Sequence, residues 1–216
     1  MANKNDPIWK NFLDVVILPP PKVRNYAIEL SVKLHERGTP WKLEVVRRKP
    51  HLSLHHFPTD PGFVSFPDRI VAQLTGQFPG GDIQLTSISS PRHGAIFLNT
   101  SRPDWLTNAA HATSVIVRNR EMAIKDDRFM ERWRQMELTP RMEASIEKWG
   151  SPLMAADFIP HFTLGVLQDK ERAQEIAASL SFKPMAWKVD KLHVVQIGDG
   201  WTAWEVLAEI PLAQEE

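Results

Sequence analysis

Cysteine is absent from this chain of 216 residues, which removes disulfides, thiolate metal sites and thiol nucleophiles from the chemistry open to it. Its absence is compatible with a reducing compartment. Net charge is absent too: Lys+Arg and Asp+Glu both number 26, so no global field draws the protein onto nucleic acid or a membrane. Any polyanion binding must come from a local patch. Long apolar runs are also missing. The opening MANKNDPIWKNFLDVVILPP carries Asp14 inside its only candidate stretch and does not read as a signal peptide. No later run approaches the roughly 18 residues of a membrane-spanning helix. The expectation is a cytoplasmic protein without membrane contact, read as a monomer. A hydrophobic fraction of 43% against 24% charged is enough to bury a sizeable core in one domain or two small lobes.

Residues 12–19 read as a buried strand stopped by Pro19-Pro20-Pro21. Val23, Tyr26, Ala27, Leu30 and Leu34 then share one helical face, with Gly38 and Pro40 as the stop. Residues 41–46 suggest a short strand or an extended approach before the basic run Arg47-Arg48-Lys49, a candidate to draw a nucleotide tail but more readily a solvated run. A strand at 51–57 and a loop at 58–67 follow, then a short amphipathic helix on Ile70, Val71, Leu74 and Phe78. Strands at 82–89 and 95–99 flank the turn Ser90-Pro91-Arg92-His93-Gly94. A helix from Pro103 carries Leu106, Ala109, Ala110, Thr113 and Val117 on one stripe. Residues 119–150 are richly charged and read as a partly helical insertion. A strand at 158–167, a helix at 169–181 and a hairpin from 188–197 to 201–210 close the chain, the hairpin turning at Gly198-Asp199-Gly200. In the last strand Thr202, Trp204, Val206, Ala208 and Ile210 are expected on one face, opposite Glu205 and Glu209.

One pentapeptide recurs through this order. Pro50-His51-Leu52-Ser53-Leu54 and Pro160-His161-Phe162-Thr163-Leu164 each spell Pro, His, apolar, hydroxyl, Leu. On a strand, the imidazole and the hydroxyl two positions on point the same way while the apolar residue between them faces a core. The order strand, helix, His-strand, helix, strand occurs twice, an architectural repeat. Two such halves about an approximate two-fold would bring the His-bearing strands together across a cleft. Two imidazoles there, each beside a hydroxyl, suit general acid and general base catalysis on opposite sides of a phosphorus centre. The hydroxyls and an imidazolium can hold the non-bridging oxygens, and no metal is then required.

The doubled PHLSL and PHFTL resemble the twin His-x-Ser/Thr signatures of the 2H phosphoesterase superfamily, which includes bacterial 2'-5' RNA ligase-like proteins and cyclic phosphodiesterases. The resemblance extends to element order over most of the chain. It implies an α+β, two-lobed, duplicated β-α-β-α-β fold, with concave antiparallel sheets facing a central groove and helices on the outer faces. Residues 1–216 would form a single domain, with an N-terminal lobe at about 12–91 and a C-terminal lobe at about 92–212 holding the insertion at about 119–150. It also implies that His51 and His161 are the acid/base pair, that Ser53 and Thr163 bind the phosphate, and that no cofactor takes part. The activity implied is metal-independent hydrolysis of a 2',3'-cyclic phosphate or a 2'-5' or 3'-5' phosphodiester, on an RNA end or a small nucleotide. A 2'-5' RNA ligase run from the same site, or a catalytically idle nucleotide- or RNA-binding module, are the alternatives. The insertion departs from the small members and bears on the substrate.

Secondary candidates surround the motifs. His55 shares the strand parity of His51 and Ser53 and is a candidate groove residue; His56 has the opposite parity and is given no role. A zinc site from His51, His55 and His161 lacks a His-Glu-x-x-His spacing, a cysteine, or a carboxylate inside either motif, so no metal is expected. Arg92, at the turn between halves, can reach a phosphate. Phe57, Phe158, Phe162, Trp187 and Trp201 include candidate base-stacking platforms, although strand aromatics are mostly core.

Overall fold

The computed structural model describes residues 12–58, 66–91, 94–118, 138–149 and 158–213. In chain order the elements are β1 (Phe12–Ile17), α1 (Pro21–His35), β2 (Leu52–Pro58), α2 (Phe66–Leu74), β3 (Gly81–Ser89), β4 (Ala95–Thr100) and α3 (Asp104–Arg118). They continue with α4 (Pro140–Trp149), β5 (His161–Val166), α5 (Lys170–Ser179), β6 (Ala186–Val189), β7 (Lys191–Ile197), a 3-10 turn (Asp199–Trp201) and β8 (Ala203–Pro211). Of the insertion, α4 is described and residues 119–137 lie outside the described residues.

The strands form one eight-stranded antiparallel sheet in the order β6-β3-β4-β5-β2-β1-β7-β8. One half is β3 to β6, the other β1, β2, β7 and β8, so both ends of the chain build the half that holds the first motif. The division of the chain at 91/92 follows the order of β-α-β units along the sequence; the sheet does not follow it. Antiparallel pairing needs no fixed crossover, which lets β7 add to the free edge of β1.

The helices α1 and α3 cross to the opposite half of the sheet, while α2 and α5 stay on their own half. α1, entered through Pro21 at its first position, where a missing N–H costs nothing, packs on β5, while α3 packs on β2. α5 lies on β3 and β4, and α2 on β7 and β8. These helices bury one sheet face in a core that includes Leu30, Leu34, Leu54, Leu106, Phe162 and Leu164. Ser31 ties α1 to the second motif: its hydroxyl donates to the Leu164 carbonyl at 2.6 Å and accepts the Leu43 N–H at 2.9 Å. A smaller cluster of Phe12, Val16, Val195, Ile197 and Ala203 sits on the other face, with Leu18 and Trp201 against it.

Two expectations are corrected here. Residues 41–46 form no strand; the extended approach is reduced to a bridge between Lys49 and Ala203. The even-numbered face of the last strand is broken, because β8 carries two register shifts against β7, at Leu207 and Trp204. Each extra residue reverses the alternation beyond it, which leaves Trp204 and Val206 exposed while Ala203 and Ile210 are buried.

Candidate active site

The two sheet halves join at the two motifs. β2 and β5 meet antiparallel through Leu52 and Phe162, the central residues of PHLSL and PHFTL, both fully buried. Continuing that register one residue either way sets His51 opposite Thr163 and Ser53 opposite His161. An approximate two-fold therefore passes between Leu52 and Phe162, and two imidazoles and two hydroxyls share one side of the sheet within the roughly 5 Å spacing of cross-strand neighbours.

The local hydrogen bonds repeat as well. His51 Nδ1 lies 3.0 Å from the Lys49 carbonyl, and His161 Nδ1 lies 2.6 Å from the Ile159 carbonyl. In each case the acceptor stands two residues back, across a proline that holds its predecessor extended. A carbonyl can only accept, so each Nδ1 carries the proton, and each Nε2 is left with the reactive lone pair. The Ala203 N–H also approaches His51 Nδ1, at 3.4 Å; the shorter contact to Lys49 decides the tautomer.

Burial pushes the His51 pKa down, opposed by Asp14 and the Lys49 carbonyl. Burial pushes His161 down to about 4, and the neighbouring His51 and His56 add to the fall by disfavouring a second positive charge. The Phe97 ring stacks on His161 with centroids 3.7 Å apart. Both imidazoles of the pair are therefore neutral near pH 7 until an anion arrives between them.

Parity changes just beyond the motifs. Val16 pairs with Ser53 and Val15 with His55, so Leu54 is an extra residue on β2. Phe97 pairs with Thr163 and Ile96 with Gly165, so Leu164 is an extra residue on β5. The fifth residue of each motif is thus a bulge, and each bulge turns the chain beyond it over. His55, a candidate for the groove, is instead 5% exposed on the helix side, its Nδ1 3.4 Å from the Ser114 hydroxyl of α3. His56, given no role, takes the groove side: its Nε2 lies 3.3 Å from the Ser53 hydroxyl and 3.0 Å from Asp14 Oδ2. The set His51, His55 and His161 is not assembled.

Asp14 is the site residue that motif reasoning missed. It pairs with His56 across β1 and β2, is fully buried, and has Oδ2 3.9 Å from His51 Nε2. One signal pointed to it: it is the single charged residue of a strand buried at every position. Arg92 lies outside the described residues. Of the basic run, Arg48 grips Asp199 through Nε and Nη2 at 2.9 and 2.5 Å, Arg47 lies over the Trp204 ring, and the Lys49 ammonium donates to the Val46 and Trp204 carbonyls. These side chains hold the β7-β8 turn. Phe57, Phe158 and Phe162 are core, and Trp187 packs against Phe162. Trp201 sets its ring edge-on to His56, with centroids 5.9 Å apart.

A curled antiparallel sheet with helices on one face and a twin-histidine groove on the other defines the fold class. Among solved structures it is shared by TT0787 of Thermus thermophilus, with a TM-score of 0.60 and 16% identity over 95% of this chain and 100% of that one. Escherichia coli LigT, solved with NADP+, is similar at a TM-score of 0.51 and 14% identity over 94% of this chain and 99% of that one. A protein described as a phosphoesterase is similar at 0.51 and 16% identity over 94% and 99%. No protein-family model and no curated protein sequence matches the chain. The fold expected from the twin motifs is the fold found. Among the described residues no helix is long and apolar enough to cross a membrane.

Proposed function

We propose that this chain is a phosphodiesterase of the 2H phosphoesterase type, opening a 2',3'-cyclic phosphate or cleaving a 2'-5' or 3'-5' phosphodiester of an RNA end or small nucleotide. The observation that carries the reading is the crossing of the two motifs at Leu52 and Phe162, with the same Nδ1–carbonyl bond behind each imidazole. Likeness to E. coli LigT, solved with NADP+ and with 3'-AMP, supports a nucleotide ligand.

In this reading the phosphate sits between His51 and His161, with the Ser53 and Thr163 hydroxyls donating to its non-bridging oxygens. The anion offsets the burial that keeps both rings neutral, so one imidazole takes up a proton and becomes the acid. The other, still neutral, draws the proton from the attacking oxygen through Nε2 as that oxygen bonds to phosphorus, and the imidazolium gives its proton to the leaving oxygen as the old P–O bond breaks. Fixing both Nδ1 protons on backbone carbonyls prevents the rings from turning the wrong nitrogen to the substrate. The Phe97 ring, stacked on His161, restricts the tilt of that imidazole.

The test is turnover of 2',3'-cyclic nucleotides and 2'-5' dinucleotides in EDTA-treated buffer, with the product isomer resolved. His51→Ala and His161→Ala are each expected to lower kcat by about 10²–10⁴-fold, the usual share of an acid/base group. Near-full activity of either variant refutes the two-histidine mechanism.

A further inference from the structure

We propose that Asp14, His51 and His56 form a binding site for one divalent transition-metal ion of the Zn2+ class, and that filling it switches off the two-histidine chemistry. The second clause rests on the function proposed above; the first does not.

The repeat supplies the first observation. Register pairs Asp14 with His56 in one half and Ala95 with Val166 at the equivalent place in the other. Each pair is the second beyond its bulge, and the rest of the two motifs matches. An acid and an imidazole stand on one side of the approximate two-fold where the other side is apolar. Catalysis by the twin motifs has no need of that asymmetry.

The second observation is the state of the carboxylate. Asp14 is fully buried, yet neither oxygen accepts a well-aligned hydrogen bond, although His56 Nε2 stands 3.0 Å and His51 Nε2 3.9 Å from Oδ2. A buried carboxylate without aligned donors is costly, and a cation is the group that relieves it. One ligand atom from each of the three residues lies within 4.8 Å of the others. A tetrahedral ion with bonds near 2.05 Å separates its ligands by about 3.3 Å, so the His51 ring must close on Asp14 Oδ2 from 3.9 Å, and no pair of ligand atoms has more than about 1.5 Å to close.

The donors fit as well. Two imidazoles and a carboxylate suit Zn2+ and its first-row neighbours and leave a fourth position open. His51 already donates Nδ1–H to the Lys49 carbonyl, the arrangement that presents Nε2 as a ligand. With that lone pair on a metal, His51 can neither accept nor deliver a proton, so the loaded and catalytic states exclude one another. A simple His56–Asp14 ion pair is the competing explanation, and it predicts no metal affinity.

The experiment is titration of EDTA-stripped, dialysed full-length protein with Zn2+ in competition with a chromophoric chelator, and with Co2+ followed by its visible absorption. One equivalent is expected to bind, with a Co2+ spectrum of low coordination number. Asp14→Asn and His56→Gln are each expected to weaken Zn2+ binding by about 10-fold or more, while His161→Ala changes it less than about twofold. Absence of saturable binding overturns the site, as does undiminished affinity in a folded Asp14→Asn; if that variant does not fold, His56→Gln decides. Turnover that persists at saturating Zn2+ overturns the switch. Failure of the two-histidine mechanism appears separately, in EDTA, where no metal is bound.

Discussion

Moving this protein from neutral to mildly acid solution should cost it stability through His161. Its pKa is held at about 4, against 6.5 for a free imidazole, chiefly by burial. Below pH 6.5 the unfolded chain takes up a proton that the folded chain refuses until about pH 4. The stabilisation is therefore complete above the unfolded value and is lost as pH falls through the window to the folded one. Between about pH 7 and about pH 4.5 the loss for a fully enclosed ring is about 2 kcal/mol. His161 is only half-buried, and screening at its open edge reduces this to about 1 kcal/mol. Urea unfolding of wild type and His161→Gln at both pH values, in EDTA, isolates the effect, since acid groups and His51 contribute to both. The wild type should lose about 1 kcal/mol more than the variant across the interval. Parallel profiles for the two proteins would refute the burial argument.

Gly165→Ala should destabilise by about 1–3 kcal/mol, because a Cβ there meets Thr39 Cγ2 at 2.9 Å and Leu34 Cδ1 at 3.5 Å. Combining it with Thr39→Ser, which removes the clashing methyl, should restore part of the loss in thermal melts. Ser31→Ala strands the buried Leu43 N–H and Leu164 carbonyl and should cost about 1–3 kcal/mol in urea unfolding. It should also lower turnover, since Leu164 is the bulge that ends the second motif. An unchanged melting curve for Ser31→Ala would refute the bridging role.

Much of the fold could be read from the chain because its cues are local. The stripe from Val23 to Leu34 lies on α1, and the stripe from Leu106 to Val117 lies on α3, since helical spacing acts within a few turns. That PHLSL and PHFTL come together about a two-fold was likewise legible, through the recurrence of five residues and the order of elements around them; that their strands pair directly in one sheet, where a cleft between them was expected, was not. Parity failed where it was carried past a bulge. His55 and His56 exchanged faces at Leu54, and Trp204 and Val206 came out at the β8 bulges, because an extra residue shows only against the partner strand. Asp14 was in view only as a break in an apolar run. Its meaning required β1 to be laid beside β2.

By itself, the sequence determined the chemical groups and their local pairing: two Pro-His-x-hydroxyl-Leu strands, each imidazole oriented by the backbone just before it, and no thiol chemistry. Tertiary structure decided which side chains join that pair. Strand alternation is a local rule, but the bulges at Leu54 and Leu164 and the addition of β7 to β1 are set by hydrogen bonds between distant segments. Those bonds put Asp14 and His56 beside His51, turn His55 into the core, and make the two halves unequal at the centre of the groove.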